Sequence, residues 1–351
     1  DWSSDVCSSD LQREKLFREI SRAYIMALST KSIIAQVQRT DKLAQQGDFS
    51  ELQDTHINLC CGKVMSTLWT VEGLSNLIKA CGGHGYSMYS GIPHLFLKQF
   101  PNQILEGENS VLLLQVARQL IKCLGWIKKG EEQKVTGPFK FLVESDKWSE
   151  YSIPEGEAEP TAENIIGAFR RGTCVLLEKL GIRMFTLVQQ HKDAKLVWDT
   201  MIGTDLQRVA KLYSVLLVLD TAWQNIVTIQ NKPIKSAIEL LFQFAGTNLV
   251  EEYAASLLEA GAITPGNIEQ FNSQKIQLLD KLKPHGLVLA EGMQWDDAFL
   301  GSAIGSSDKD PYETLYNWAK QLGQLNQFEN QIHPAVLEFQ LKISKFREQR
   351  L

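Results

Sequence analysis

The sequence has no strong excess of either charge. Its 351 residues carry 36 Lys and Arg against 41 Asp and Glu. No basic stripe of the kind a nucleic-acid surface needs is present. Clusters such as Lys342, Lys345, Arg347 and Arg350 read as solvated helix surface. Cysteine is sparse: Cys7, Cys60, Cys61, Cys81, Cys123 and Cys174. No CxxC pair and no Cys/His ligand spacing occurs, so no metal site is expected. Scattered thiols suit a reducing compartment, where they serve as small core residues. Long apolar runs are missing too. The most apolar stretch, Leu212 to Leu219, is interrupted by Ser214 and ended by Asp220. That is far short of the ~20 residues that cross a bilayer, so no membrane span is expected. No fixed-period repeat and no convincing strand alternation is visible. With 44% hydrophobic and 9% aromatic residues, the chain still has enough to bury sizeable cores.

Residues 1–11 read DWSSDVCSSDL. That string matches the translation of a common sequencing adapter and is expected to lie outside the fold. Without Asp1, Asp5 and Asp10 the formal net charge moves from −5 to −2. Cys7 leaves with them. The rest is then a fragment that starts in mid-gene.

From Gln12 onward, nearly every periodic segment reads as helical. Leu16, Ile20, Tyr24 and Leu28 share helical spacing in a segment from Gln12 to about Val37. Asp48 and Ser50 look like helix-start residues before a longer segment to about Cys81, with apolar positions at Leu59, Val64, Leu68, Leu74 and Leu77. A glycine-rich break spans Cys81 to His94. Leu95 to Leu105 is short and apolar, either extended or a helical turn. A helix is expected from about Gly107 to Leu124, closed by Gly125. Residues 128–160 are polar and rich in Gly, Glu, Lys and Pro, and read as a linker with some structure around Phe139 to Val143. Beyond it, Thr161 to His191 opens on a near capping box. Val209, Leu212, Leu216, Leu219, Trp223 and Ile226 form one stripe. Further helices are expected at 233–260, 265–283, 311–321 and 333–349. The fold class is all-α, as two helical bundles: an incomplete first one over 12–127 and a second over 161–351.

Two short elements stand apart from this pattern. One is Ala80-Cys-Gly-Gly-His-Gly-Tyr-Ser87. The other is Leu105-Glu-Gly-Glu-Asn-Ser-Val111. ACGGHGYS followed by EGEN-x-V-x-x-x-Q-x-A-R resembles the acyl-CoA oxidases, in the acyl-CoA dehydrogenase superfamily. Gly83 and Glu106 lie 23 positions apart, which resembles the superfamily's spacing. The resemblance extends to Gln45 through Leu52, to Lys283-Pro284, to Asp297 and Leu300-Gly301-Ser302, and to Tyr312 and Trp318-Ala319. It covers most of residues 12–330 and the family's C-terminal half only. Two departures stand out. Leu105 replaces the usual aromatic, and Met88-Tyr89 is bulkier than expected.

The resemblance implies an FAD enzyme of fatty-acid β-oxidation. It would oxidise fatty acyl-CoA to trans-2-enoyl-CoA and reduce molecular oxygen to hydrogen peroxide. Glu106 would be the catalytic base. Gly82 and Gly83 would approach FAD held by a second subunit, in a homodimer with FAD shared between subunits. Glu108 and Asn109 would contact the flavin, and Gly107 would admit the thioester. The residues themselves allow this. An α-proton is weakly acidic, and its removal needs a desolvated carboxylate beside donors to the thioester oxygen. Ile104 and Leu105 disfavour a charged Glu106, while the helix start beyond it favours one. Which prevails stays open. Acids in a first helical turn are common for reasons of stability alone, and Gly-Gly often only ends a helix. His84 reads as a structural histidine.

Residues beyond Glu106 form a whole second helical domain, which favours an oxidase over a dehydrogenase that uses an electron-transfer flavoprotein. The second alternative is a non-catalytic helical interaction module. The fragment alone is expected to be inactive, because the domains that would hold most of the flavin precede it. The chain ends Gln349-Arg350-Leu351, a weak variant of the peroxisomal Ser-Lys-Leu address read by an import receptor. It otherwise reads as an ordinary frayed helix end.

Overall fold

The computed structural model describes residues 9–154, 156, 160–306 and 310–321, with Glu338. Among them there is no strand. Helix α1 (Asp10–Gln45) is opened by Ser9, whose side chain accepts from the Gln12 amide. The helix thus runs through the boundary expected at residue 11. Its core face carries Phe17, Ile25 and Ile33, with Ser21 and Ser29 between them. This is one position away from the expected stripe. The small serines let a second helix come close, and Ser29 Oγ lies 2.8 Å from Thr221 Oγ1.

Helix α2 (Leu52–Ala80) lies against α1 and buries Ile57, Cys60, Cys61, Val64, Met65 and Trp69. The chain then turns through α3 (Gly82–Tyr86) and a 3₁₀ turn, Met88–Ser90. Helix α4 (Ile92–Gln99) and the 3₁₀ turn Phe100–Gln103 pack back along α2, and α5 (Asn109–Lys128) comes next. Leu95 to Leu105 is therefore helical rather than extended. Gly125, expected to close α5, lies inside it, and the left-handed turn comes at Gly130 (φ 73°). By length and composition α5 could cross a membrane, but Leu113, Val116, Leu120 and Cys123 are buried in the protein core.

The described residues within 128–160 pack against the rest of the chain. They contain α6 (Ser145–Ser149) and bury Val135, Phe139, Leu142, Trp148 and Ile153. Next come α7 (Ala162–His191), α8 (Ala194–Thr200), α9 (Gly203–Val227), α10 (Lys232–Glu252), α11 (Ala254–Glu259) and α12 (Pro265–Leu282). Thr161 caps α7 as its sequence suggests, accepting from the Asn164 amide at 3.1 Å. Helix α9 is the centre of the molecule. It packs on α1, α2, α5 and α7 and buries most of its length. One apolar core therefore runs through both halves of the chain.

Short helices α13 (Gly286–Glu291) and α14 (Asp297–Leu300) precede α15 (Pro311–Gln321). The α14–α15 region covers the glycine-rich break. The Ala303 amide donates to the Tyr89 carbonyl at 2.8 Å. His84 meets the Tyr312 ring edge-on at 5.6 Å, and Tyr89 packs on Trp318. The expected helix at 333–349, Glu338 apart, and the terminal Gln349-Arg350-Leu351 lie outside the described residues.

Candidate active site

The spacing between the two motifs has a geometric meaning. The glycine-rich break sits at the C-terminal end of α2. The chain then returns antiparallel along α2, through α4 and its 3₁₀ turn, to deliver Glu106 beside Lys63. From Lys63 to Ala80 is about 25 Å by helix rise. Glu106 and the two glycines therefore belong to different places on this chain, and neither glycine lines the cleft beside Glu106.

That cleft has a volume of about 590 Å³. It is lined by Lys63, Ser66, Thr67 and Thr70 of α2, with Gln99, Asn102, Leu105 and Glu106 opposite. Glu106 is held at φ 57°, in the left-handed region that residues other than glycine seldom occupy. Such a conformation persists only where its surroundings enforce it. Gly107 comes next at φ 102°, and a Cβ there would lie 2.9 Å from Leu112 Cδ2. Gly107 is thus required by backbone and by packing, whatever approaches it. The burial expected around Glu106 is not provided by this chain. Ile104 and Leu105 are 59% and 57% exposed, and Glu106 is exposed with them. The cause is their position on a loop that projects in front of the helix start.

The next two residues are committed to that helix start. Glu108 is the N-cap of α5. Its carboxylate accepts from the Ser110 amide at 2.8 Å, the Val111 amide at 3.3 Å and Ser110 Oγ at 3.1 Å. These bonds, the Ser110 amide foremost, hold Glu108 below the usual carboxylate range. Asn109 Nδ2 donates to Thr67 Oγ1 at 3.0 Å, and Asn109 Oδ1 accepts from Lys63 Nζ at 2.9 Å. Both side chains are thus engaged within the chain.

Lys63 was not singled out by the motifs. Its ammonium also donates to the Gly107 carbonyl at 2.6 Å and to the Gln103 carbonyl at 3.3 Å. Desolvation pulls its pKa down, against the opposing charges of Glu108 and Glu106. A signal was present in the sequence, since Lys63 is the only Asp, Glu, Lys or Arg between Asp54 and Glu72.

At the glycine break, Gly82 is at φ 58°, and a Cβ on Gly82 or on Gly83 would meet nothing within 4 Å. Gly85 is different: its Cβ would lie 2.2 Å from the Ile78 carbonyl oxygen. Packing within the chain explains Gly85 and backbone conformation explains Gly82. Neither explains Gly83, which offers bare backbone to the outside. Among the described residues no group of His, Cys, Asp and Glu is arranged to hold a metal ion.

The acyl-CoA oxidase family profile matches residues 161–342, and the profile of the acyl-CoA oxidase C-alpha1 domain matches residues 4–121. The chain is 29% identical over 318 residues to the rat peroxisomal acyl-coenzyme A oxidase 1, covering 88% of this chain and 47% of the rat protein. The human peroxisomal acyl-coenzyme A oxidase 1 is 28% identical over 317 residues, with the same 88% and 47% coverage. Among solved structures, acyl-CoA oxidase-1 of Caenorhabditis elegans complexed with FAD and ATP superposes with a TM-score of 0.86. It shares 25% identity and covers 96% of this chain and 50% of that one. Acyl-CoA oxidase 1 of Arabidopsis thaliana superposes with a TM-score of 0.80 at 22% identity, covering 94% and 50%. The chain spans about half the length of the curated relatives it matches. With family profiles matched in both of its halves, the chain belongs to the acyl-CoA oxidase family.

Proposed function

We propose that the protein containing this chain oxidises fatty acyl-CoA to trans-2-enoyl-CoA in peroxisomes, with oxygen reduced to hydrogen peroxide. The observation that carries this reading is Glu106. It is a carboxylate in enforced left-handed backbone, at the mouth of a helix and over a cleft of about 590 Å³. Glu106 takes the α-proton of the thioester. The start of α5 follows directly, with its Ser110 and Val111 amides already taken by the Glu108 carboxylate. When bound, FAD would supply the acceptor for the β-hydride and the route by which the electrons reach oxygen.

The residues present fit that cofactor. Gly83 leaves its backbone open, with no reason among the described residues for lacking a side chain. Close approach of a pyrophosphate to backbone is such a reason. Gly82 and Gly83 would meet FAD of a second subunit, while Glu108 and Asn109 would border the flavin of their own. The distance between the two elements along α2 supports this division and hence a homodimer. The family match over 161–342 favours oxygen over an electron-transfer flavoprotein as acceptor. The ends of the two matches, at 121 and 161, support a join between two units within residues 128–160. The peroxisomal names of the relatives support the location, which a reporter fused to the last dozen residues would test separately.

The test of the base is Glu106→Gln in the oxidase expressed at its full family length. FAD should remain bound while acyl-CoA no longer bleaches it, with flavin reduction slowed by about 10²–10⁴-fold or more. Flavin reduction at the parent rate would refute the assignment.

A further inference from the structure

We infer that Lys63 is a positioning residue whose ammonium, bonded to the Gln103 and Gly107 carbonyls and to Asn109 Oδ1, clamps the loop on both sides of Glu106. The inference rests on the reading of Glu106 as the base. The geometry is specific. An ammonium has three N–H donors. Lys63 directs them at the Gly107 carbonyl (2.6 Å), Asn109 Oδ1 (2.9 Å) and the Gln103 carbonyl (3.3 Å). Gln103 precedes Glu106, while Gly107 and Asn109 come after it, so one point charge gathers the loop from both ends. One turn along α2, Thr67 Oγ1 bonds the same Asn109 from the other side.

Bonds from a charged donor are stronger than neutral ones. They supply what Glu106 needs in order to remain at φ 57°. All three N–H groups are directed at the loop. Arginine would not substitute freely, because its planar fork cannot converge on three acceptors around one point.

The test has two arms. In this chain, hydrogen exchange is followed over residues 103–110 for Lys63→Met and Lys63→Arg. Lys63→Met should exchange on the order of tenfold faster there, with the core of α9 still protected. Lys63→Arg should recover only part of the protection. In the full-length enzyme, Lys63→Met should lower kcat by about 10- to 100-fold with KM within about 2-fold. A merely structural lysine would not move the split between kcat and KM.

Parent-like exchange at 103–110 together with parent-like kcat would overturn the clamp. If Lys63→Met does not fold, Lys63→Gln serves instead. It must loosen the same segment by removing the charge and shortening the reach to the loop, and unchanged exchange then overturns the proposal. Activity retained in Glu106→Gln would sink the base assignment and leave the exchange result standing. An inactive Glu106→Gln beside a normal Lys63→Met would sink the clamp alone.

Discussion

Four glycines near the site lack side chains for different reasons, and single substitutions separate those reasons. Gly107 combines φ 102° with a Cβ position 2.9 Å from Leu112 Cδ2. Gly107→Ala must therefore strain the backbone and displace Leu112 together. It should cost about 1–3 kcal/mol, read from denaturant midpoints. Gly85 is barred from carrying a Cβ by the Ile78 carbonyl, and at Gly82 a φ of 58° would strain any other residue. Gly83 has ordinary backbone and open space, so Gly83→Ala should leave the stability of this chain within about 0.5 kcal/mol. A loss at Gly83 as large as that at Gly107 would show that Gly83 serves packing, and would remove its support for a cofactor site.

At the scale of the element, the start of α5 turns one acid into a structural cap. Glu108 accepts two amides and a hydroxyl, and its pKa lies below the ordinary carboxylate range. A carboxylate lowered on folding stabilises at neutral pH. That contribution is lost as pH falls from about 4.3, the ordinary glutamate value, through the folded value. Glu108→Ala should cost about 0.5–2 kcal/mol at pH 7. The difference between parent and variant should shrink below about pH 4. A constant difference across that range would show that the cap does not act through its charge.

The sequence made the helices legible where periodicity was strong. Residues 265–283 and 311–321 correspond to Pro265–Leu282 and Pro311–Gln321. It misled on faces. On α1 the core side is set by Ser21 and Ser29, and close helix approach rewards their small size rather than their polarity. It misled on boundaries too, because Gly125 tolerates helix where nothing crowds it. The Glu106 loop was legible through its motif. Lys63 was not, because its three acceptors lie 40 or more positions away and become neighbours only when α4 folds back along α2.

At the scale of the whole molecule, residues 128–160 decide whether the two halves behave as one body. Their composition suggests a linker with some structure around Phe139 to Val143, and Phe139 lies fully inside the core. Its ring stacks on Tyr213 of α9 at 5.2 Å, and Phe141 stacks on the same tyrosine. Tyr213 sits on the helix that α1, α2, α5 and α7 all share. A cavity opened at Phe139 therefore touches both halves together. Large-to-small core substitutions of this kind cost about 3–5 kcal/mol. For Phe139→Ala this loss should appear in a single transition. Trp69 of α2 is buried in the first half, and Trp223 packs on Phe242 in the second. Single-tryptophan variants retaining one or the other should report the same denaturant midpoint in the parent, and the same lowered midpoint with Phe139→Ala. If the Trp69 probe moved while the Trp223 probe did not, the halves would unfold separately and residues 128–160 would be a tether. Coincident midpoints make α9 and the Phe139 segment one cooperative unit with the helix that carries Lys63. Damage far from the cleft would then reach Glu106 through the shared core.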